Sequence, residues 1–197
     1  KKRKNNKKMA KDKIMLDGFK SLESRNFKIE NGEKIMEHAR SIKSAEEIKA
    51  MRCSISACET SIHVMEKETK PGMTENDIWS ILHSENIKRG GEWIETRLLS
   101  SGTKTNPWFQ ECGSRILQNN EIVAFDTDLV GCYSMCTDIS RTWWIGDQEP
   151  TKEMKQDYQI ALEHIQKNAE LVAPGVHFKD LTFKGHQLDD VYKKQQY

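Results

Sequence analysis

The chain has 197 residues, of which 31% are charged, and a formal net charge of only +1. That length holds one domain with a sizeable core, or one and a fraction, and the charge balance calls for neither nucleic acid nor an anionic membrane as partner. No window approaches the roughly 18 consecutive apolar residues of a membrane span, and no signal-peptide pattern opens the chain, so the expectation is a soluble, cytoplasmic protein.

Five cysteines, Cys53, Cys58, Cys112, Cys132 and Cys136, are odd in number and form no Cys-x-x-Cys pair. They read as reduced thiols. Cys132 and Cys136 lack the second Cys/His pair that a zinc site needs, and packing on a hairpin is the better role for them.

Residues 1 to 8 carry six Lys or Arg and read as a solvated basic tail, with Met9-Ala10-Lys11 more like a start. Residues 14 to 43 mix short apolar groups (Ile14, Met15, Leu16; Ile35, Met36) with Asn31-Gly32. This gives residues 1–43 as basic tail and remnant or linker, and 44–197 as an incomplete domain. Ser44 and Glu47 then have capping-box spacing, and Ile48, Met51, Ile55, Cys58, Ile62 and Met65 step by three and four along one helix stripe. Pro71-Gly72 stops that helix. A second helix starts near Thr74 with Asp77 as cap partner and Ile78, Ile81, Leu82 and Ile87 as its core face, and Gly90-Gly91 ends it.

Trp93 to Leu99 is bulky and β-branched, and reads as one strand closing at Ser100-Ser101-Gly102, with a turn at Thr105-Asn106-Pro107. After Gly146 a helix is expected from about Thr151 to Val172, with Met154, Tyr158, Ala161, Ile165, Ala169 and Val172 on one face. Pro174-Gly175 stops it, and another helix is expected from about Phe178 to Tyr192. The order long helix, Pro-Gly, shorter helix therefore occurs twice, as a coarse repeat. About 60 residues of strands follow the first copy only, so the second half of the domain looks missing.

Between the copies, residues 122 to 146 read as two strands with a tight connection through Gly131 to Ser134. Alternation puts Asp126 and Asp128 on one face, and an antiparallel return brings Asp138 beside them. Three carboxylates so close repel one another and take up protons unless a cation sits among them. Solvated acids at a strand end are the alternative.

Four stretches occur in order: Ala39 to Ile48, Lys70-Pro71-Gly72-Met73-Thr74-Glu75, Ser101-Gly102, and the hairpin ending Thr137-Asp138-Ile139-Ser140-Arg141-Thr142. Together they resemble the creatinase/aminopeptidase (M24) superfamily, which includes methionine aminopeptidases, Xaa-Pro peptidases, creatinase and a dimethylsulfoniopropionate (DMSP) lyase. The resemblance implies an α/β (α+β) pita-bread fold, here its first half plus the opening helices of the second. It also implies a divalent transition metal, iron, manganese, cobalt or zinc and in one or two copies, with Asp126, Asp128 and Asp138 as ligands and the remaining His and Glu ligands beyond Tyr197. Asp126-Thr127-Asp128, Asp138 five residues after Tyr133, and Asn106-Pro107-Trp108-Phe109-Gln110-Glu111-Cys112-Gly113 depart from the peptidase pattern and look like the lyase branch.

The expected reaction is β-elimination of a small-molecule substrate to dimethyl sulfide and acrylate, with an Xaa-Pro metallopeptidase or a noncatalytic member of the fold as alternatives. A sulfonium is a cation without hydrogen-bond donors, and Trp108, then Tyr133, are the candidate aromatic faces for it, with plain packing as the bland role. Arg141 either orients a ligand carboxylate or forms a structural ion pair. None of the six histidines carries a ligand signature, and the catalytic base is not identifiable. Family members are commonly dimers, so a homodimer is expected at full length, while the chain as it stands is expected to be inactive and to expose apolar faces.

Overall fold

The computed structural model describes residues 8–11 and 14–194. Its chain forms two compact units that divide between Arg52 and Cys53. In the first, strands β1 (Lys8–Lys11) and β2 (Lys28–Asn31) pair in parallel from Lys8↔Lys28 to Lys11↔Asn31. Parallel strands need a crossover, and helix α1 (Leu16–Ser24) supplies it. Helix α2 (Glu33–Ser41) follows, its first turn tied by the Glu33 amide donating to the Asn31 side chain at 2.8 Å. Residues 1 to 7, most of the stretch read as a basic tail, lie outside the described residues.

Helix α3 (Ala45–Glu68) begins with the expected capping box: the Ser44 amide donates to Glu47 Oε2 at 2.7 Å, and the Glu47 amide to Ser44 Oγ at 3.2 Å. Its stripe is buried only in part. Cys58, Ile62 and Met65 are core, whereas Ile48 and Ile55 are exposed. The buried line of α3 runs instead through Ser54, Cys58, Ser61, Ile62 and Met65. Ser54 Oγ donates to the Met135 carbonyl at 2.8 Å, and a Cβ on Gly131, at the hairpin tip, would come 2.0 Å from that hydroxyl oxygen, so position 131 needs a glycine.

Helix α4 (Glu75–Lys88) is capped by Thr74 and Asp77 reciprocally, and buries Ile78, Trp79 and Leu82. Ile87, expected on that face, is 55% exposed, and Asn86 takes the buried position in the helix's last turn.

Four strands form the sheet of the second unit: β3 (Trp93–Ile94), β4 (Leu99–Ser101), β5 (Glu121–Val130) and β6 (Cys136–Ile145). β5 is central, with β6 antiparallel on one side and β3 and β4 antiparallel on the other. The single strand expected over 93–99 is thus two. Between the pairs Ile94↔Leu129 and Leu99↔Phe125, four residues (95–98) stand opposite three (126–128). That extra residue is a β-bulge, fixed by register with a strand far along the chain and therefore invisible locally.

One face of β5, Val123, Phe125, Thr127 and Leu129, is fully buried. It forms the core with Cys58, Ile62 and Met65 of α3 and Ile78, Trp79 and Leu82 of α4, two layers around one apolar interior. Trp143 closes the core edge-on to Phe125 at 5.6 Å. Side chains alternate, so the opposite face of the hairpin carries the acids.

Helix α5 (Lys152–Ala169) starts at Thr151, whose Oγ accepts from the Met154 amide at 3.2 Å. Its expected core face is open: Met154, Tyr158 and Ile165 are exposed. The helix expected over 178–192 is broken into α6 (Phe178–Lys184) and α7 (Asp190–Lys193), since Gly185 leaves the helix with an extended ψ of 140°.

Candidate functional site

The acids are brought together by ladder register. Asp128 stands directly opposite Asp138, and Asp126 opposite Ser140, in a hairpin paired over its whole length from Glu121↔Ile145 to Val130↔Cys136. Directly opposed residues have Cβ atoms roughly 4.5–5.5 Å apart, and diagonal ones are still within reach. All three carboxylates therefore share one face, on the side away from α3 and α4.

Hydroxyls hold two of them. Ser140 Oγ donates to Asp126 Oδ1 at 2.7 Å, and Thr96 Oγ1 donates to Asp128 Oδ2 at 3.2 Å. Thr96 lies in the bulge, which is how an edge segment comes to touch an acid of the central strand. Asp138 has the least help. Burial first, then the charges of Asp126 and Asp128, hold its carboxyl above the usual carboxylate range.

A set of carboxylate oxygens whose mutual repulsion raises one member's proton affinity is chemically suited to a divalent cation, which relieves that repulsion. Among the described residues no group of three or more His, Cys, Asp and Glu side chains is closed enough to hold a metal ion unaided. Held at these aspartates, an ion would need further ligands from elsewhere.

Arg141 lies on the other face of β6 from Asp138. It pairs with Glu59 of α3 at 3.6 Å and donates to the Ser140 carbonyl at 2.9 Å. Of the two roles the sequence leaves open, the geometry shows the ion pair. Beside it an open hollow of about 540 Å³ is bordered by Ile55, Glu59, Asp138, Ser140, Arg141 and Ile165.

Trp108 sits in the loop between β4 and β5, edge-on to Phe109 at 6.4 Å. The root of that loop is level with the acids: Glu111 bridges to Leu98, and the Leu98 carbonyl accepts from the Asp126 amide at 2.9 Å. Adjacent strands lie about 4.8 Å apart, so Glu111 stands some two strand widths to the side of Asp126 in the plane of the sheet. Tyr133 occupies the hairpin tip, 72% exposed and with a left-handed φ of 61°. It lies past the Val130↔Cys136 pair that ends the ladder, one acid-face position beyond Asp128↔Asp138.

Two clusters escape sequence reading. Glu75, fully buried at the start of α4, accepts from Ser101, Lys104 and Gly113. Ser101 Oγ in turn accepts from Arg115 Nη1 at 2.6 Å, and Arg115 makes a two-pronged pair with Glu121 at 2.7 Å on each arm. The signal available was that Glu75 and Ser101 both fall in the quoted family motifs, but nothing local marks the carboxylate as buried. The second cluster joins His164 and His186, Nδ1 to Nδ1 at 3.2 Å, with the Asn168 amide on His164 Nε2 at 3.2 Å.

The profile of the metallopeptidase family M24 matches residues 49–192. Dimethylsulfoniopropionate lyase DddP from Roseovarius nubinhibens is 53% identical over 197 residues, covering 98% of this chain and 44% of that protein. A lyase of the same name from Roseobacter denitrificans is 54% identical over 194 residues, covering 96% and 43%. The solved dipeptidase of Pyrococcus horikoshii OT3 superposes with a TM-score of 0.80 at 19% identity, over 96% of this chain and 52% of that one, a likeness of fold. The chain thus spans less than half the length of the curated relatives it matches.

Proposed function

The chain belongs to metallopeptidase family M24 and has its mixed α/β pita-bread fold, and from that premise we propose that, in a protein of its curated relatives' length, it forms the aspartate-bearing half of a metal-dependent DMSP lyase. The observation that carries this reading is the pairing of Asp128 with Asp138, Asp126 on the same face, in a chain 53% identical to a lyase of that name. The reaction is β-elimination: a base takes a proton from the carbon next to the substrate carboxylate, the electron pair forms the carbon–carbon double bond, and the carbon–sulfur bond breaks. Dimethyl sulfide leaves and acrylate remains.

Asp126, Asp128 and Asp138 would hold one or two ions of iron, manganese, cobalt or zinc, whose positive charge offsets the negative charge developing on the substrate carboxylate. Ser140 and Thr96 orient two of these aspartates through the hydrogen bonds described above, as supporting groups do around metal ligands. Trp108, with Tyr133 second, offers an aromatic face to the sulfonium. The base is not identified among this chain's residues, the full-length protein is a homodimer, and the 197-residue chain alone is inactive.

Peptidases dominate the similar folds, so the decisive experiment runs both chemistries on the full-length protein. Headspace dimethyl sulfide from DMSP is compared with release of the first residue from an Xaa-Pro peptide. Sulfide release without peptide cleavage is expected, and Asp128→Ala or Asp138→Ala should lower it by about 10²–10³-fold. Peptide cleavage without sulfide would replace the lyase by a metallopeptidase; neither activity, with no bound metal, would make the protein a noncatalytic member of the fold.

A further inference from the structure

Glu75 has no part in the chemistry above, yet it is a carboxylate with none of its surface exposed. A buried charge is costly unless every lone pair finds a donor. Here each oxygen finds two. Oε1 accepts from the Ser101 amide at 3.0 Å and the Ser101 hydroxyl at 2.8 Å. Oε2 accepts from Lys104 Nζ at 2.6 Å and the Gly113 amide at 3.0 Å.

The donors have a pattern. Ser101 is the last residue of β4, Lys104 lies in the short 3-10 turn after it, and Gly113 lies beyond the loop's return at Glu111. One carboxylate thus grips the loop where it leaves the sheet, once inside it, and where it comes back. The span so enclosed is the one that presents Trp108. Its grip is itself anchored, because Ser101 Oγ also accepts from Arg115, which is locked to Glu121 at the first residue of β5. Glu75, the acids' strand and the Trp108 loop are one hydrogen-bonded unit.

We infer that Glu75 is a positioning residue for substrate binding: its buried carboxylate sets the position of the Trp108 loop at the edge of the sheet that carries the aspartates. The inference rests on the lyase reading for the identity of the substrate. The alternative is that Glu75 only adds stability, in which case its loss lowers the melting temperature and leaves substrate affinity alone.

Glu75→Gln separates the two in the full-length protein. The amide can accept on one side only and presents N–H groups to donors on the other, so the loop loses half of its grip without a change of volume. The expected result is a KM for DMSP raised about tenfold with kcat within about threefold, together with faster amide hydrogen exchange in peptides covering residues 102–113 and unchanged exchange in the hairpin. Lys104→Gln, at a half-exposed position, keeps the test alive should Glu75→Gln fold poorly, and should move KM and loop exchange the same way by a smaller factor. Unchanged KM and unchanged loop exchange in a folded variant would overturn the inference, as would a fall in kcat at constant KM. If the unmutated protein releases no dimethyl sulfide, the lyase reading fails by itself, while the exchange of residues 102–113 still decides whether Glu75 holds the loop.

Discussion

At the scale of single residues, Trp108 bears the sharpest consequence of the proposed substrate. A sulfonium offers no proton to a hydrogen-bond acceptor, so a neighbouring aromatic face holds it through the ring's charge distribution, at about 0.5–2 kcal/mol. Trp108→Ala in the full-length protein should therefore raise the KM for DMSP by about 2- to 30-fold, by the same conversion of energy to affinity, and leave kcat close to unchanged. Steady-state kinetics that show an unaltered KM would return Trp108 to plain packing against Phe109. The three aspartates were legible as a group because strand alternation and an antiparallel return are local rules, and residues 122 to 146 contain both strands. Glu75 was not legible for the opposite reason. Its partners lie 26, 29 and 38 residues away, and a glutamate in a first helical turn is an ordinary sight on a protein surface.

Among the elements, those written by local chemistry came out as read and those written by distant register did not. Ser44 with Glu47 and Thr74 with Asp77 both close their capping boxes, since a cap needs only its own first turn. The strand over 93–99 divides because β5 imposes a bulge on it, and α3 turns Ser54 inward, where its hydroxyl donates to the Met135 carbonyl of the hairpin. The Thr74 box also holds Glu75, the residue inside it, so it links helix initiation to the loop that carries Trp108. Thr74→Ala should cost about 1 kcal/mol of folding stability at neutral pH. The backbone amide of Thr74, then its hydroxyl, hold the Asp77 carboxyl below the usual carboxylate range. A carboxylate depressed in the folded state stabilises fully above its unfolded pKa, about 3.9, and ceases to do so as pH falls through the lower folded value. The gap between wild type and Thr74→Ala in urea denaturation should accordingly narrow from pH 6 towards pH 3; a gap constant over that range would show that the Asp77 charge takes no part in the cap.

For the whole molecule, the repeat of long helix, Pro-Gly and shorter helix placed α5 at the opening of a second half, and the structure shows what that helix leaves uncovered. Met154, Tyr158, Leu162 and Ile165 recur at helical spacing on α5 and are 36%, 56%, 37% and 64% exposed. Contiguous apolar surface of this kind in water drives association with whatever apolar surface is at hand. On the proposed reading the aspartates would supply only part of a ligand set, so an ion would gain little by binding to them alone. Both features predict one contrast. The 197-residue chain should run as heterogeneous oligomers in size-exclusion chromatography, bind an apolar dye, and melt at a temperature that manganese or iron(II) does not raise. The full-length protein should elute as one discrete species and be stabilised by about 2.7 kcal/mol at an ion concentration a hundred times its dissociation constant. A monodisperse 197-residue chain with a cooperative melt that the ion raises would mean that Asp126, Asp128 and Asp138 are a sufficient site, and that α5 needs no cover.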